Sequence, residues 1–409
     1  MNRIFKLTNP VKHYDWGSPH WIPRLLGAPN PEGLPWAELW MGVHGEGPSA
    51  TEYAGKAVSL PGLIAQDPEG YLGTQAARSY GTLPFLFKLL GIEKPLSIQV
   101  HPNRKQAQEG FERENRQGIP LSAAHRNYKD PYPKPEIICA LSPFTALCGF
   151  REPEVIAQVL TALAEDAAEP LQDALLTLTR VLGPQPESLK AFLAGLFALP
   201  MKIRTTLSAY VQERMEALIK AHPGYTDAWR LCAYFAQLYP GDPAVIAPLY
   251  LNLISLESGE GIYLPTGVLH AYVKGFGVEL MANSDNVLRG GLSSKYVDSE
   301  ELLRILDFSV FRPQILHPDG SIFKTPSEEF ALWVREGRGD QIQHPERLPG
   351  ILMVTQGELR LSCDGEAWAF KSGESFFIPA LRREDIRLSG TYRLYGAGLG
   401  SPYEDTGGR

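Results

Sequence analysis

Between Pro95 and Asn103 the chain reads PLSIQVHPN, with polar and apolar positions alternating one for one. Side chains two apart on a strand share a face, so Ser97, Gln99 and His101 point one way and Ile98 and Val100 the other. A polar face backed by an apolar one predicts a lined pocket. Short apolar or alternating runs bounded by Gly and Pro recur through residues 1–151, in TLPFLFKLL and KPEIICALSPFTALCGF, and predict a mostly β region. One helix is expected inside it, over RKQAQEGFERENRQG, where helix formers run up to a Gly.

Over residues 152–249 the apolar positions move to helical spacing, in EVIAQVLTALAEDA, DALLTLTRVL and SAYVQERMEALIKAH, with breaks at Gly183-Pro184 and Pro240-Gly241. A helical insertion is predicted. The segment TDAWRLCAYFAQLYPGDPAVIAPLY has the texture of one helical-repeat unit, but no second copy follows, so packed helices explain it better. Strands resume over residues 250–309, closing on a helix at DSEELLRILDF, and β runs separated by Gly-containing turns fill residues 310–409. That last stretch suggests a small barrel or double-sheet jelly roll.

The stretch GEGIYLPTGVLH runs from Gly259 through Pro265 and Gly267 to His270. Gly259 and Gly267 permit tight turns, Pro265 stiffens the hairpin, and the next strand delivers His270 inward. The spacing resembles the second signature motif of cupins, β-barrels that often hold a metal between strands. GESFFIPALRRE, from Gly373, repeats the frame with Leu381 at the second Gly position and Glu384 at the His position. The fold class expected is therefore mainly β with a helical insertion: two cupin-type jelly-roll barrels plus an all-α domain. Residues 1–151 and 250–309 would form the catalytic barrel, 152–249 the helices, and 310–409 a second barrel without metal ligands.

Composition changes this picture little. With 409 residues, 44% hydrophobic and 21% charged, the chain is long enough for two or three globular domains. A net charge of −7 gives no footprint for nucleic acid, while leaving room for a locally basic pocket. Neither a signal-peptide core nor an apolar run of membrane length is present, so a cytoplasmic protein is expected. Cys139, Cys148, Cys232 and Cys363 form no Cys-x-x-Cys pair and read as reduced, mostly buried small hydrophobic side chains.

Candidate chemistry changes it more. In YPKPEIICAL, Pro133 and Pro135 hold the backbone extended, so Lys134 and Glu136 project to one side. Gln99, His101, Glu136 and His270 together would make a mixed nitrogen and oxygen shell suited to one zinc ion, with room for a water or substrate oxygen. Plain readings stand beside this one. A lone strand His is usually a hydrogen-bonded structural residue, Gln99 is by chemistry alone the weakest ligand, and Lys134 with Glu136 could be an exposed charge pair. Lys88 could lie along a barrel rim, and Arg289 could tether the Gly290-Gly291 turn to Asp285 or Asp298. Trp36 and Trp40 read as packing.

YDWGS (Tyr14–Ser18), AELWMGVH (Ala37–His44), LPFLFKLL, KPLSIQVHPN, YPKPEI, LPTGVLHAY and NSDNVLRGGLSSKYVD follow one another between residues 1 and 298. In this order they resemble the type I phosphomannose isomerases, with Gly45 standing where a Pro is expected. The resemblance implies zinc on Gln99, His101, Glu136 and His270, catalytic roles for Lys134, Glu279 and Arg289, and substrate contacts from Lys88, Ser97, Trp16 and Glu38. It implies interconversion of mannose 6-phosphate and fructose 6-phosphate through a cis-enediol(ate), with Lys134 or Glu279 transferring the proton. A non-catalytic sugar-binding cupin and a zinc isomerase for another sugar are the alternatives left open. The expected partner is a phosphorylated hexose, with no nucleic acid and no membrane; a monomer is expected, with oligomers left open.

Overall fold

The computed structural model describes residues 4–381 and 383–400, and it divides its strands between two large sheets. In the ten-stranded sheet the long strand His270–Ala282 is the hub, pairing with Phe85–Ile92, Glu136–Ala140, Phe144–Phe150 and, at His270, Ile98–Val100. Glu38–Gly42 and Val11–Lys12 extend the sheet beyond Phe85–Ile92. Leu288–Gly291 pairs with Ile98–Val100, opposing Arg289 to Gln99.

The strand His270–Ala282 carries cleft-facing side chains at both ends, which its length alone would forbid. Tyr272 and Glu279 both line the cleft, although an odd spacing of seven puts residues on opposite faces of a regular strand. The register shifts between Tyr272 and Lys274, and Gly275 follows with φ +134°, a conformation suited to glycine. This irregularity resets the alternation, so His270 and Glu279 serve one site from one strand.

Residues 153–250 are helical, from Pro153–Ala164 to Thr226–Leu238 and two short turns that return the chain to strand Leu251–Leu256. Their apolar faces share a core with Ile98, Val100, Leu147 and Leu288, so the helices pack directly on the strands behind the site. The helices expected at RKQAQEGFERENRQG and DSEELLRILDF are present as Arg104–Arg116 and Ser299–Ile305. Asn103 and Gln106 cap the first of these reciprocally.

Two features depart from the sequence reading. The strand Phe5–Leu7 pairs with Ser375–Ile378 in the six-stranded sheet, so the amino-terminal strand joins the sheet of residues 331–398 rather than the larger one. Four short helices, Trp21–Leu26, Leu60–Ile64, Pro68–Leu72 and Thr74–Tyr80, also lie where only strands and turns were expected. Each is too short to show a helical period. The local signals were caps: Ser59 and Asp67 accept from Gly62 and Gly70, and Gly27 ends the first helix in the left-handed region. The four cysteines are buried and form no disulfide among the described residues, as expected.

Candidate active site

The row Trp40, Lys88, Glu279 crosses three neighbouring strands in register. Lys88 Nζ lies 3.1 Å from Glu279 Oε2 and 3.8 Å from Glu38 Oε2, and all three side chains are buried. Trp40 Nε1 donates to Glu38 Oε2, fixing that carboxylate. Burial opposes the charge on Lys88, but Glu279, Glu38 and Glu136 overcome it and hold the ammonium protonated. One cation facing several acids cannot satisfy them all. Burial pushes Glu279 above the ordinary carboxylate range, Lys88 pulls it back, and Glu136 and Glu38 push it up again.

Beside this row lies the group His101, Glu136 and His270, whose candidate ligand atoms fall within 4.8 Å of one another. Glu136 Oε1 is 3.2 Å from His101 Nε2 and Glu136 Oε2 is 3.4 Å from His270 Nε2. His101 Nδ1 lies 2.7 Å from the Asn286 carbonyl and His270 Nδ1 2.9 Å from the Val268 carbonyl. A carbonyl only accepts, so each ring carries a proton on Nδ1, and as a neutral imidazole it turns its Nε2 lone pair toward Glu136. Both Nε2 atoms are buried without a hydrogen-bond partner among the described residues. Lone pairs facing a carboxylate repel unless a cation sits between them, so these residues fit a divalent ion.

The protonation states agree with that fit. Burial and the nearby Lys134 push His101 down to about 4, keeping it neutral and able to ligate near pH 7. Burial pushes Glu136 up, but the Lys134 ammonium, 3.3 Å away, holds it well below the ordinary carboxylate range. Gln99 stands opposite His270 in the strand register and lines the cleft above the histidines.

The cleft has a volume of about 440 Å³, and Trp16, Glu38, Lys88, Ser97, Gln99, Lys134, Glu136, Glu279 and Arg289 all line it. His101 and His270 lie beneath, against Glu136. Arg289 has no carboxylate partner among the described residues, and burial alone lowers its pKa. It does not tether the turn to Asp285 or Asp298: Asp285 instead lies 3.1 Å from His44, and Asp298 caps the helix Ser299–Ile305.

Several cleft residues escaped the sequence reading. Trp40, assigned to packing, lines the cleft, with Lys12 Nζ 4.2 Å from its ring centroid. It shares a strand face with Glu38, two residues earlier, but only its hydrogen bond to that carboxylate reveals the role. Tyr272 lies 3.5 Å from Glu136 Oε2, and the alternation from His270 could have found it. Tyr14, stacked on Trp16 with centroids 5.8 Å apart, and Tyr239, brought in by the helices, carry no such signal. In the second hairpin frame Glu384 is exposed on the short turn Arg383–Asp385.

Residues 4–153 match the family model for the phosphomannose isomerase type I catalytic domain. The chain is 36% identical over 402 residues to the mannose-6-phosphate isomerase of Salmonella typhimurium, covering 95% of this chain and 98% of that protein. It is 32% identical over 423 residues to mannose-6-phosphate isomerase 1 of Arabidopsis thaliana, covering 98% and 95% respectively. A solved structure of the Salmonella typhimurium enzyme, bound to fructose 6-phosphate and zinc, superposes with a TM-score of 0.87 at 35% identity, covering 98% of this chain and all of that one. No helix among the described residues is long and apolar enough to cross a membrane. With relatives this similar over nearly its whole length, the chain belongs to the type I phosphomannose isomerase family.

Proposed function

We propose that the protein interconverts mannose 6-phosphate and fructose 6-phosphate, using one zinc ion held by Gln99, His101, Glu136 and His270. The observation that carries this reading is the pair of buried, unpartnered His Nε2 atoms aimed at Glu136 on the cleft floor. Bound there, zinc would supply a Lewis acid that favours negative charge on the sugar oxygens during a cis-enediol(ate) reaction.

The chain's own residues do the remaining work. A proton must leave C2 and return at C1, which needs a group that both accepts and gives it. Glu279, with its carboxyl raised above the ordinary range, is suited to exchange that proton, and Lys88 fixes its orientation from 3.1 Å. Lys134, 3.3 Å from Glu136, is the second candidate for proton transfer and stands over the metal ligands. Arg289, free of carboxylates, offers its planar fork to the phosphate, with Ser97 as a hydroxyl partner. Trp16 and Glu38 would complete the sugar contacts, and Trp40 holds Glu38 in place.

In this reading residues 8–151 and 250–309, which carry the larger sheet, form a cupin-type barrel that catalyses. Residues 152–249 are a helical domain, and residues 310–400, joined by the strand Phe5–Leu7, are a second barrel without metal, the rest of the expected 310–409 lying outside the described residues. A coupled assay with mannose 6-phosphate, run before and after chelation, tests the reading. Turnover lost with the metal is expected, and absence of turnover in the zinc-loaded protein contradicts it.

A further inference from the structure

The helical stretch reaches the cleft at one turn, Tyr239 to Asp242. Tyr239 lines the cleft and its hydroxyl lies 3.5 Å from the Pro95 carbonyl, on the edge that carries Ser97. Gly241, at φ +83°, donates its N–H to Ser208 Oγ at 2.8 Å, anchoring the turn on the helix Met201–Ala221. Asp242 then spans to the opposite edge. Its Oδ1 accepts from the Ala244 N–H at 2.9 Å and its Oδ2 from the Leu292 N–H at 2.7 Å.

Leu292 is where such support is needed. It is a buried leucine with φ +52°, a left-handed conformation costly for a bulky side chain, and it follows Gly291 at φ +131°. A Cβ on Gly291 would meet the Ala244 Cβ at 2.3 Å and Asp242 Oδ1 at 2.9 Å, so the segment passes tight against the turn. Arg289 lies three residues before Leu292, and Ser293, Ser294 and Lys295 follow it along the cleft wall. Strained backbone persists where surrounding contacts determine it, and here the contact comes from the insertion.

We propose that Asp242 is a positioning residue for substrate binding: its carboxylate clasps the left-handed turn at Leu292 and so sets the phosphate-facing edge formed by Arg289 and Ser293–Lys295. This rests on reading the cleft as a sugar-phosphate site. Asp242 touches no reacting atom; it acts through the segment it holds, and it gives the helical insertion a part in substrate affinity.

The test compares wild type, Asp242→Asn and Asp242→Ala as full-length zinc-loaded proteins. Amide exchange at Leu292 and at Ser293, whose N–H also donates to the Asp242 carboxylate, reads the clasp, and steady-state kinetics on mannose 6-phosphate read its consequence. In Asp242→Ala both amides exchange faster and KM rises by about tenfold, with kcat and zinc content near wild type, because uniform binding is lost. Asp242→Asn keeps one acceptor oxygen and falls between, and it carries the test if the alanine variant does not fold. Unchanged exchange at Leu292 overturns the clasp. Faster exchange with a wild-type KM, or a fall confined to kcat as from a loss of folded enzyme, overturns the positioning role. If wild type turns over no mannose 6-phosphate, the reading of the cleft fails, while exchange still judges the clasp.

Discussion

Lys88 faces two acids and Arg289 faces none, and this difference sets what each should do. Replacing Lys88 by Ala leaves Glu38 and Glu279 buried together without their cation, whereas Arg289→Ala removes a charge that only substrate is positioned to use. Both variants should keep their zinc. Arg289→Ala should chiefly raise KM for mannose 6-phosphate, and Lys88→Ala should also depress turnover, each by a loss of about 1.5–3 kcal/mol in kcat/KM. Steady-state kinetics beside elemental analysis checks this; wild-type kinetics in both variants would move the phosphate contact elsewhere. His101 carries a second prediction. Its pKa falls from 6.5 to about 4 on folding, so between those values the unfolded chain binds more protons and acid favours unfolding. Denaturant unfolding of the metal-free protein should show this contribution intact above pH 6.5 and falling toward pH 4, by up to about 3 kcal/mol. The same pH dependence in His101→Gln as in wild type would show that His101 is not desolvated as described.

At the level of elements, the hairpin frame at His270 and its degenerate counterpart at Glu384 should differ in consequence. His270 is buried against Glu136, while Glu384 is exposed on a turn of the other sheet. Glu384→Ala should therefore leave zinc content and turnover at wild-type levels; a second stoichiometric metal that vanishes in this variant would overturn the reading of that sheet. Much of the site was legible here because strand alternation is local. Ser97, Gln99 and His101 share a face by spacing alone, and the Gly259-to-His270 hairpin announces its candidate ligand. Other features were not legible because their causes are not local. The reset between Tyr272 and Gly275 decides that Glu279 joins His270, and Gly275 hints at a bulge there without fixing how the register moves. Trp40 reads as packing until Glu38 and Lys88 are seen beside it. Asp242 and Leu292 are 50 residues apart, so their contact follows only from how the helices return to the sheet. The strand Phe5–Leu7 pairs 368 residues away by register, Leu7 opposite Ser375, a partner that its own sequence does not indicate.

Across the whole molecule, the candidate metal group is a small polar island in extensive apolar packing. The strands around it are tied by Leu280, Val278, Phe87 and Ile137, all buried, and the helices contribute a continuous core from Ile156 to Leu249. Folding of this chain should not depend on the ion as that of a zinc finger does. Circular dichroism of the chelated protein should keep its native spectrum, and a collapse on chelation would show that the core does not suffice. The central claim, one zinc held by the buried histidines and Glu136 and required for isomerisation, is tested most directly by zinc content measured on wild type and His270→Ala, with mannose 6-phosphate turnover read on the same samples. One zinc per chain and full turnover are expected in wild type, with most of the zinc and nearly all turnover lost from a folded His270→Ala. Unaltered zinc content in His270→Ala, or full turnover in wild type stripped of zinc, would contradict the claim.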